Sequence, residues 1–531
     1  MRLASRIPPW LVLTLLVGIV AVQGVELWAW AARDALPARS ICCDLSVDAA
    51  AAVARVHREG AGPPPAWRPS DGLLTPLAQR VFDATGSVDA FQWTIGLFAL
   101  ALTVALFDLG RALGGAPAGL LAAALSPWVP LVAFMGRRWD TQGPLAAVVA
   151  VGVAAVVRSR GLRRPLPIAV AYAALGACLV LSPRPTDNLL AAGTLGAVLL
   201  AAAARTLVTG RGPHGGRAGR RAPLVALAVL AVGLALAFPH LLLTTSPEGA
   251  AYYARQAAQG APGAGTVGGW VGASAYATHL FWRGLTPLWA APLWVAGVAF
   301  ALRGRGRAEV LTWALLPLLV LSALPKRNYY YLSAAWPAVP LLLALGIRAL
   351  PGGRWVQAVA ATALLATGLT QHLDRAWGGT ALDPIAAEHT WLTGTRQWGR
   401  TFQTDDDDLD LAPGDAPWIA PAAAALSAAL PEETCRCRTF IATAGDLDWD
   451  QLALPLLVDH PCVELRRTEA PKPQGTIGAA IGQRRTLEHL PPNQAARLEG
   501  LVPVASVEVP GQRLLVLGPE PGREAACVQH H

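Results

Sequence analysis

Apolar runs of about 20 residues recur through the first 370 positions, separated by short arginine-bearing stretches. That is the length at which a helix crosses a bilayer. The runs cover 9–30, 93–109, 116–135, 144–157, 166–181, 189–207, 222–243, 287–302, 310–324, 331–347 and 356–369. They predict about eleven spans, the shorter ones tilted, broken or completed by flanking residues. The first run ends near Ala29-Trp30-Ala31, a sequence that would suit signal peptidase, but it is too long for a signal core and reads as an uncleaved anchor. A long polar interval, 31–92, comes next. There Val47, Ala50, Val53, Ala54 and Val56 share one helical spacing, and Leu74, Leu77, Val81 and Phe82 share another. These predict two short amphipathic helices, 47–59 and 73–84, lying at the membrane surface on either side of a Gly-Pro break. From Gln371 the pattern becomes short and mixed: 439–442, 501–509 and 513–517 read as strands and 493–498 as a helix. The expected architecture is a mainly α, polytopic transmembrane bundle over 1–370 and a small α/β domain over 371–531.

Composition agrees and excludes the alternatives. The chain is 53% hydrophobic and 15% charged, against about 25% charged for soluble proteins. A single soluble core, a disordered chain, a coiled coil and a nucleic-acid-binding domain all fail on those values. The net charge of +8 is unevenly spread. Residues 1–370 hold 30 of the 43 Lys and Arg but only 13 of the 35 Asp and Glu, whereas 371–531 is net acidic. Basic residues lying between apolar runs act as topology signals. With Arg2 and Arg6 cytoplasmic, the arginine-rich connections (158–164, 205–221, 303–307 and 348–354) are cytoplasmic too. The short outer loops then carry Arg137, Arg138, Arg184, Lys326 and Arg327, and an odd span count puts the acidic tail outside the cell membrane.

In this orientation only Asp108 and Glu309 among the first 13 acidic residues face the cytoplasm, so the outer side is where carboxylates gather. Asp44 and Asp48 are one helical turn apart at the start of the first predicted surface helix. A carboxylate at a membrane interface can take a proton from an incoming hydroxyl or amine; equally, Asp44 can be a helix N-cap and Asp48 a solvated neighbour. Asp140 lies in a tight outer turn, Gly136-Arg137-Arg138-Trp139-Asp140. Charge so near hydrocarbon is costly and is often functional, although an ion pair with Arg137 or Arg138 also accounts for it.

The third feature is Pro325-Lys326-Arg327-Asn328-Tyr329-Tyr330-Tyr331. It holds one of only two lysines in the chain and three of its seven tyrosines. Cations with phenols at headgroup depth suit a phosphate; an aromatic belt with snorkelling cations has the same composition. The acidic run 405–410 lacks the spaced ligands of a calcium loop, and His57, His240 and His279 near the outer face are each ordinary structural histidines on residue type alone. No CxxC pair occurs among the seven cysteines, which argues against structural zinc. Four of them fall in the acidic tail, where an extracytoplasmic setting would permit one or two disulfides.

Taken in order, these features resemble the GT-C superfamily of integral-membrane glycosyltransferases, and within it the protein O-mannosyltransferase and lipid A aminoarabinose transferase group. The resemblance rests on Asp44 through Gly60 as an acidic start and a helix ending in glycine, and on Gly62-Pro63-Pro64-Pro65 with Leu73-Leu74-Thr75-Pro76-Leu77 after it. It continues in the Gly110-Arg111 turn, in Arg137-Arg138-Trp139-Asp140, and in Lys326 through Pro337 and Pro340. The second acid departs from the family pattern, since Leu45 follows Asp44 and Asp48 is displaced. The resemblance covers about 1–370, and the acidic tail gives no help with the substrate.

The resemblance implies transfer of a sugar from a polyprenyl-phosphate donor to a glycan, lipid or protein acceptor at the extracytoplasmic face. It implies Asp44, with Asp48 and Asp140, as the catalytic acids, and Lys326, Arg327, Arg137, Arg138 and Tyr329 as the donor-phosphate site. A divalent cation held by Asp44, Asp48 and Asp140 is left open. The rival readings are a transporter or flippase of lipid-linked saccharides, and a non-catalytic scaffold for the outer domain. A transporter would place charges and polar breaks in mid-span, whereas this chain keeps its charge in loops.

Overall fold

The computed structural model describes residues 7–33, 73–85, 89–129, 132–133, 141–182, 185–209, 288–303, 306–322, 332–377, 419–430, 439–444, 463–467, 476–490, 492–496, 498–509 and 512–519, with single positions at 224, 227–228, 231 and 456. The chain divides into two compact units.

The larger unit is helical. Helix α1 covers Pro9–Arg33; the smaller unit takes most of α2, Leu74–Thr85. Then come α3 (Asp89–Gly114), α4 (Ala116–Leu125), α5 (Gln142–Arg158), α6 (Pro165–Val180) and α7 (Pro185–Thr209). After them stand α8 (Ala291–Arg303), α9 (Arg307–Ser322), α10 (Ala338–Ala349) and α11 (Gly353–Trp377). Among the described residues three helices are long and apolar enough to cross a membrane, over Pro9–Ala29, Trp93–Gly114 and Asp187–Val208, and six shorter apolar helices accompany them. Together they make this a multi-pass membrane protein. Helix α1 presents Trp10, Leu13, Val17, Val22 and Val25 outward. Such a face is stable only against lipid. Helix α10 is the opposite case: every residue from Ala338 to Ile347 is buried, as expected of a helix that is hydrophobic all round.

Small residues set the closest helix contacts. A Cβ at Gly297 of α8 would lie 1.9 Å from the Leu342 carbonyl oxygen of α10, and one at Gly346 of α10 would lie 1.8 Å from that of Leu293. The two backbones touch there, the arrangement that glycine permits in membrane helix pairs. Between α3 and α4, Gly115 takes φ +86°, a value that disfavours any side chain.

Two predicted spans are shorter as helices than as apolar runs. In the run 116–135, α4 ends at Leu125, where Ser126-Pro127 interrupts it, and Val132 and Ala133 are helical again. The run 331–347 begins its helix only at Ala338, behind an N-cap at Pro337. The preceding turns are packed in the core: Trp313 Nε1 donates to the Ala334 carbonyl at 2.5 Å, and both Trp313 and Trp336 are buried. Hydropathy reads burial, and a buried turn looks like a helix to it. The predicted surface helix 73–84 is α2. Its entry is held by backbone bonds from Leu73 and Leu74 N–H to the carbonyls of Val180 and Leu181, at 2.8 and 3.2 Å. Those carbonyls end α6 and have no partner within their own helix. The predicted helix 47–59 and nearly all of the run 222–243 lie outside the described residues.

The smaller unit holds a five-stranded sheet in the order β2-β1-β3-β5-β4. Its strands are β1 (Thr439–Ala444), β2 (Val463–Arg467), β3 (Thr476–Gln483), β4 (Leu501–Val509) and β5 (Gln512–Pro519). Strand β1 is parallel to β2 and β3, while β5 is antiparallel to β3 and β4. Helix α12 (Ile419–Ala429) packs on β3, β4 and β5 through small side chains, burying Ala422 and Leu426. The short helices α13 (Arg484–Glu488) and α14 (Pro492–Ala495) lead into a second cluster, in which Ala480 and Leu498 pack with Leu487, Leu490, Leu501 and Leu517. Both sheet faces therefore carry apolar cover, as a layered α/β domain requires.

Candidate functional site

The eight residues predicted to carry chemistry, Asp44, Asp48, Asp140, Arg137, Arg138, Lys326, Arg327 and Tyr329, lie outside the described residues. So do His57, His240, His279 and the acidic run 405–410. The chain is described again immediately after two of those stretches. Thr141 is bonded directly to Asp140, and Leu332 and Ser333 come straight after the tyrosines.

These two points meet at one buried carboxylate. Asp187 stands in the first turn of α7 and is 5% exposed. Its Oδ2 accepts a hydrogen bond from the Thr141 hydroxyl at 3.1 Å and another from Gln142 Nε2 at 3.0 Å. Because the Gln142 amide nitrogen is turned toward Asp187, its Oε1 faces the other way and accepts from the Ser333 hydroxyl at 2.5 Å. Thr141, Gln142 and Ser333 are all buried. The connection runs from the start of α7 through the start of α5 to the turn before α10.

Local sequence explains how Asp187 is held. Asn188 forms a reciprocal pair with the Ser182 backbone: its Oδ1 accepts from the Ser182 N–H at 3.0 Å, and its Nδ2 donates to the Ser182 carbonyl at 2.7 Å. One amide thus closes the α6–α7 connection much as a strand partner would. Thr141 is the N-cap of α5, yet its side chain makes no cap hydrogen bond, because its backbone is already helical (φ −70°, ψ −22°) and does not turn the hydroxyl back over the first N–H groups. Two helix N-termini therefore converge on a single carboxylate, and these are the helix ends that favour negative charge.

The opposite ends of the same helices are joined by ion pairs. Arg158, closing α5, makes a two-point contact with Asp108 of α3, with Nε donating to Oδ2 at 2.8 Å. Arg205 of α7 donates to Glu309, in the first turn of α9, at 2.5 Å. Asp108 and Glu309 are the two acids predicted to face the cytoplasm, and both serve to join helices. Elsewhere the Thr103 hydroxyl donates to Gln23 Oε1 at 2.6 Å, tying α3 to α1. His372 of α11 and Glu26 of α1 pair at 2.9 Å. Among the described residues no group of three His, Cys, Asp or Glu is placed to hold a metal ion.

The sequence alone places Asp187 among the outer-loop carboxylates and gives it no role. A signal is nonetheless present: an acid followed by asparagine at the start of an apolar run is a charge at the membrane boundary, where charges are seldom idle.

Neither a family model nor a curated protein matches the chain. Solved structures do. ArnT from Cupriavidus metallidurans, in a crystal structure bound to undecaprenyl phosphate, is similar over 96% of this chain and 98% of its own, with 15% identity and a TM-score of 0.60. Its apo state gives a TM-score of 0.56 at the same identity, over 94% of this chain and 97% of its own. The arabinofuranosyltransferase AftD from Mycobacteria matches at TM-score 0.52 and 14% identity, over 98% of this chain and 40% of its own length. The chain shares its fold with ArnT along nearly the whole of both chains.

Proposed function

We propose that the protein is a membrane glycosyltransferase that moves a sugar from a polyprenyl-phosphate carrier to an acceptor outside the cytoplasm. The observation that carries this reading is the likeness along nearly the whole of both chains to ArnT, a structure that holds undecaprenyl phosphate. The unequal charge of the loops supports it, since it sets the cationic stretches 134–140 and 323–331 on the outer side. In this reading 1–370 is the catalytic membrane domain and 371–531 an extracytoplasmic α/β domain.

The chemistry is a displacement at the anomeric carbon. Asp44 takes the proton of the acceptor hydroxyl or amine as that atom attacks, and the carrier phosphate departs with the electrons of the broken bond. Asp48 and Asp140 share the acidic side of the site. Lys326 and Arg327, with Arg137, Arg138 and the Tyr329 phenol, hold the phosphate as its charge grows. Asp44, Asp48 and Asp140 are also the residues that would ligate a divalent cation.

Lipid-linked sugar profiling in a deletion strain tests the reading. Loss of the protein should leave a polyprenyl-phosphate sugar unspent and raise its level. Complementation with Asp44→Asn, which changes one atom and keeps the side-chain shape, should leave that sugar accumulated while the protein is expressed and folded. An unchanged lipid-linked pool in the deletion strain would overturn the reading.

A further inference from the structure

We infer that the α5–α6 connection and the outward face of α6 form a binding site for one anionic phospholipid. Its phosphate sits on Arg160, Arg163 and Arg164, and an acyl chain lies along the helix. The site is separate from the donor and acceptor chemistry proposed above.

At this end of the bundle the protein matches arginine to acid internally: Arg158 has Asp108 and Arg205 has Glu309. Arg163 is different. It is half-buried, its Nε is shut off from solvent with no hydrogen-bond partner, and among the described residues no carboxylate pairs with it. A guanidinium withdrawn from water calls for an anion. Arg160 and Arg164 are exposed beside it and are also unmatched by any acid among the described residues.

The three arginines stand on a fixed frame. Arg160, Gly161 and Leu162 follow one another at φ 53°, 79° and 59°, a backbone that residues other than glycine adopt only under constraint. Ser159 supplies the constraint. Its Oγ accepts the Leu162 N–H at 2.9 Å, and its carbonyl accepts those of Arg163 and Arg164 at 3.0 and 3.2 Å. Leu162 is 1% exposed, and a Cβ at Gly161 would lie 2.6 Å from Thr206 Oγ1 of α7. The leucine plugs the turn into the bundle and leaves the arginines around it at the surface.

The helix that follows offers an apolar face. It packs on α5 and α7 and buries Ala171, Ala174, Leu175 and Cys178. Pro165, Leu166, Ala169, Val170, Ala173 and Gly176 recur at helical spacing and are exposed, and a Cβ at Gly176 would meet nothing within 4 Å. The outward face of α1 carries large side chains; this one turns to small residues beyond Val170, which leaves room for an acyl chain.

Charge selects the occupant. Small residues would also admit a second helix. Two copies in one membrane share an orientation, however, so pairing through this face would bring both sets of arginines to the same depth. An anionic headgroup brings the opposite charge. The orientation expected from the loops also sets these arginines at the cytoplasmic leaflet, where anionic lipid gathers.

Native mass spectrometry of the full-length protein in detergent micelles, titrated with phosphatidylglycerol or phosphatidylcholine, tests the inference. One phosphatidylglycerol should bind roughly tenfold more tightly than phosphatidylcholine. Arg163→Gln should weaken it about fivefold, and Arg160→Gln with Arg164→Gln about twentyfold. Arg303→Gln, in another arginine-rich connection, should change it less than about twofold. Ala173→Leu fills the face and should weaken binding about fourfold, the worth of one buried methylene. The arginine pair is exposed, so its double variant should unfold at the parent temperature without lipid; it decides the matter should Arg163→Gln not fold. Equal affinity for the two lipids, or an equal loss in Arg303→Gln, overturns the inference, since either reduces the site to diffuse surface charge. A dimer that Ala173→Leu dissociates, with no phosphatidylglycerol bound, overturns it in favour of a second copy.

Discussion

Glu309 is 0% exposed and has one carboxylate oxygen without a hydrogen-bond partner among the described residues. Its charge is tolerable because Arg205 is beside it. Removing one member of a buried pair leaves the other uncompensated and typically costs about 3–5 kcal/mol. Arg205→Ala should therefore lower the unfolding temperature sharply in detergent, and the double variant Arg205→Ala with Glu309→Leu should recover most of the loss. The cations proposed for the donor phosphate obey a different logic. A cation at a low-dielectric interface gains most where the leaving phosphate gains charge. Lys326→Ala should cost roughly a hundredfold in rate, about 3 kcal/mol, and Lys326→Arg should keep part of it, with charge preserved and geometry changed. Steady-state rates against donor concentration would measure both, and an unchanged rate would reduce Lys326 to a snorkelling headgroup contact. Residue type is enough to nominate Lys326 and Asp44 from the sequence. It is not enough for Asp187, whose meaning comes from Gln142 and Ser333, residues 45 and 146 positions away in the chain.

At the level of elements, legibility tracks the strength of the periodic signal. Runs 93–109 and 189–207 are parts of α3 and α7, and the spacing of Leu74, Leu77 and Val81 belongs to α2. Strand β4 occupies the predicted 501–509, an easy case because four valines fall within nine residues. Strand β3, Thr476–Gln483, is not legible in the sequence, because its Gly and Ala residues carry little strand propensity and its place comes from packing between β1 and β5. The contact of α8 with α10 is equally invisible there, since glycines in an apolar run do not reveal their partner. It has a measurable consequence. Gly297→Ala puts a methyl where the Leu342 carbonyl oxygen stands, so the helices must separate, at a cost of about 1–3 kcal/mol. Gly176→Ala, at a position with nothing within 4 Å, should leave the unfolding temperature unchanged or slightly raised in the same measurement.

For the whole molecule, charge decides the expected topology. The arginine-rich connections and the acidic tail cannot share a side under the positive-inside rule with an odd number of spans. Reporter fusions placed after Gln371 should be active only in the extracytoplasmic form. A fusion active only in the cytoplasm would reverse the orientation and move the proposed site to the wrong face. The character of the bundle, its helical class and the switch to a mixed domain are all legible in composition and hydropathy. The likeness to ArnT in fold, at 15% identity, lies in arrangement rather than in matching residues.

Helix α1 has a bearing on how the molecule can be taken apart. Only 11% of its apolar window is buried. Among the described residues its anchors include Val12 against Phe107 and Ala123, Gln23 with Thr103, and Glu26 with His372. A helix whose outer face already suits lipid is a stable object before it meets its neighbours. The chain should therefore work as a two-piece kit, with residues 1–36 produced separately from 37–531 and recombined in the membrane. The fragments should co-purify, and His372→Ala in the larger piece should weaken their recovery as a pair. Failure of the intact fragments to associate would mean that covalent continuity, rather than these contacts, keeps the first helix in place.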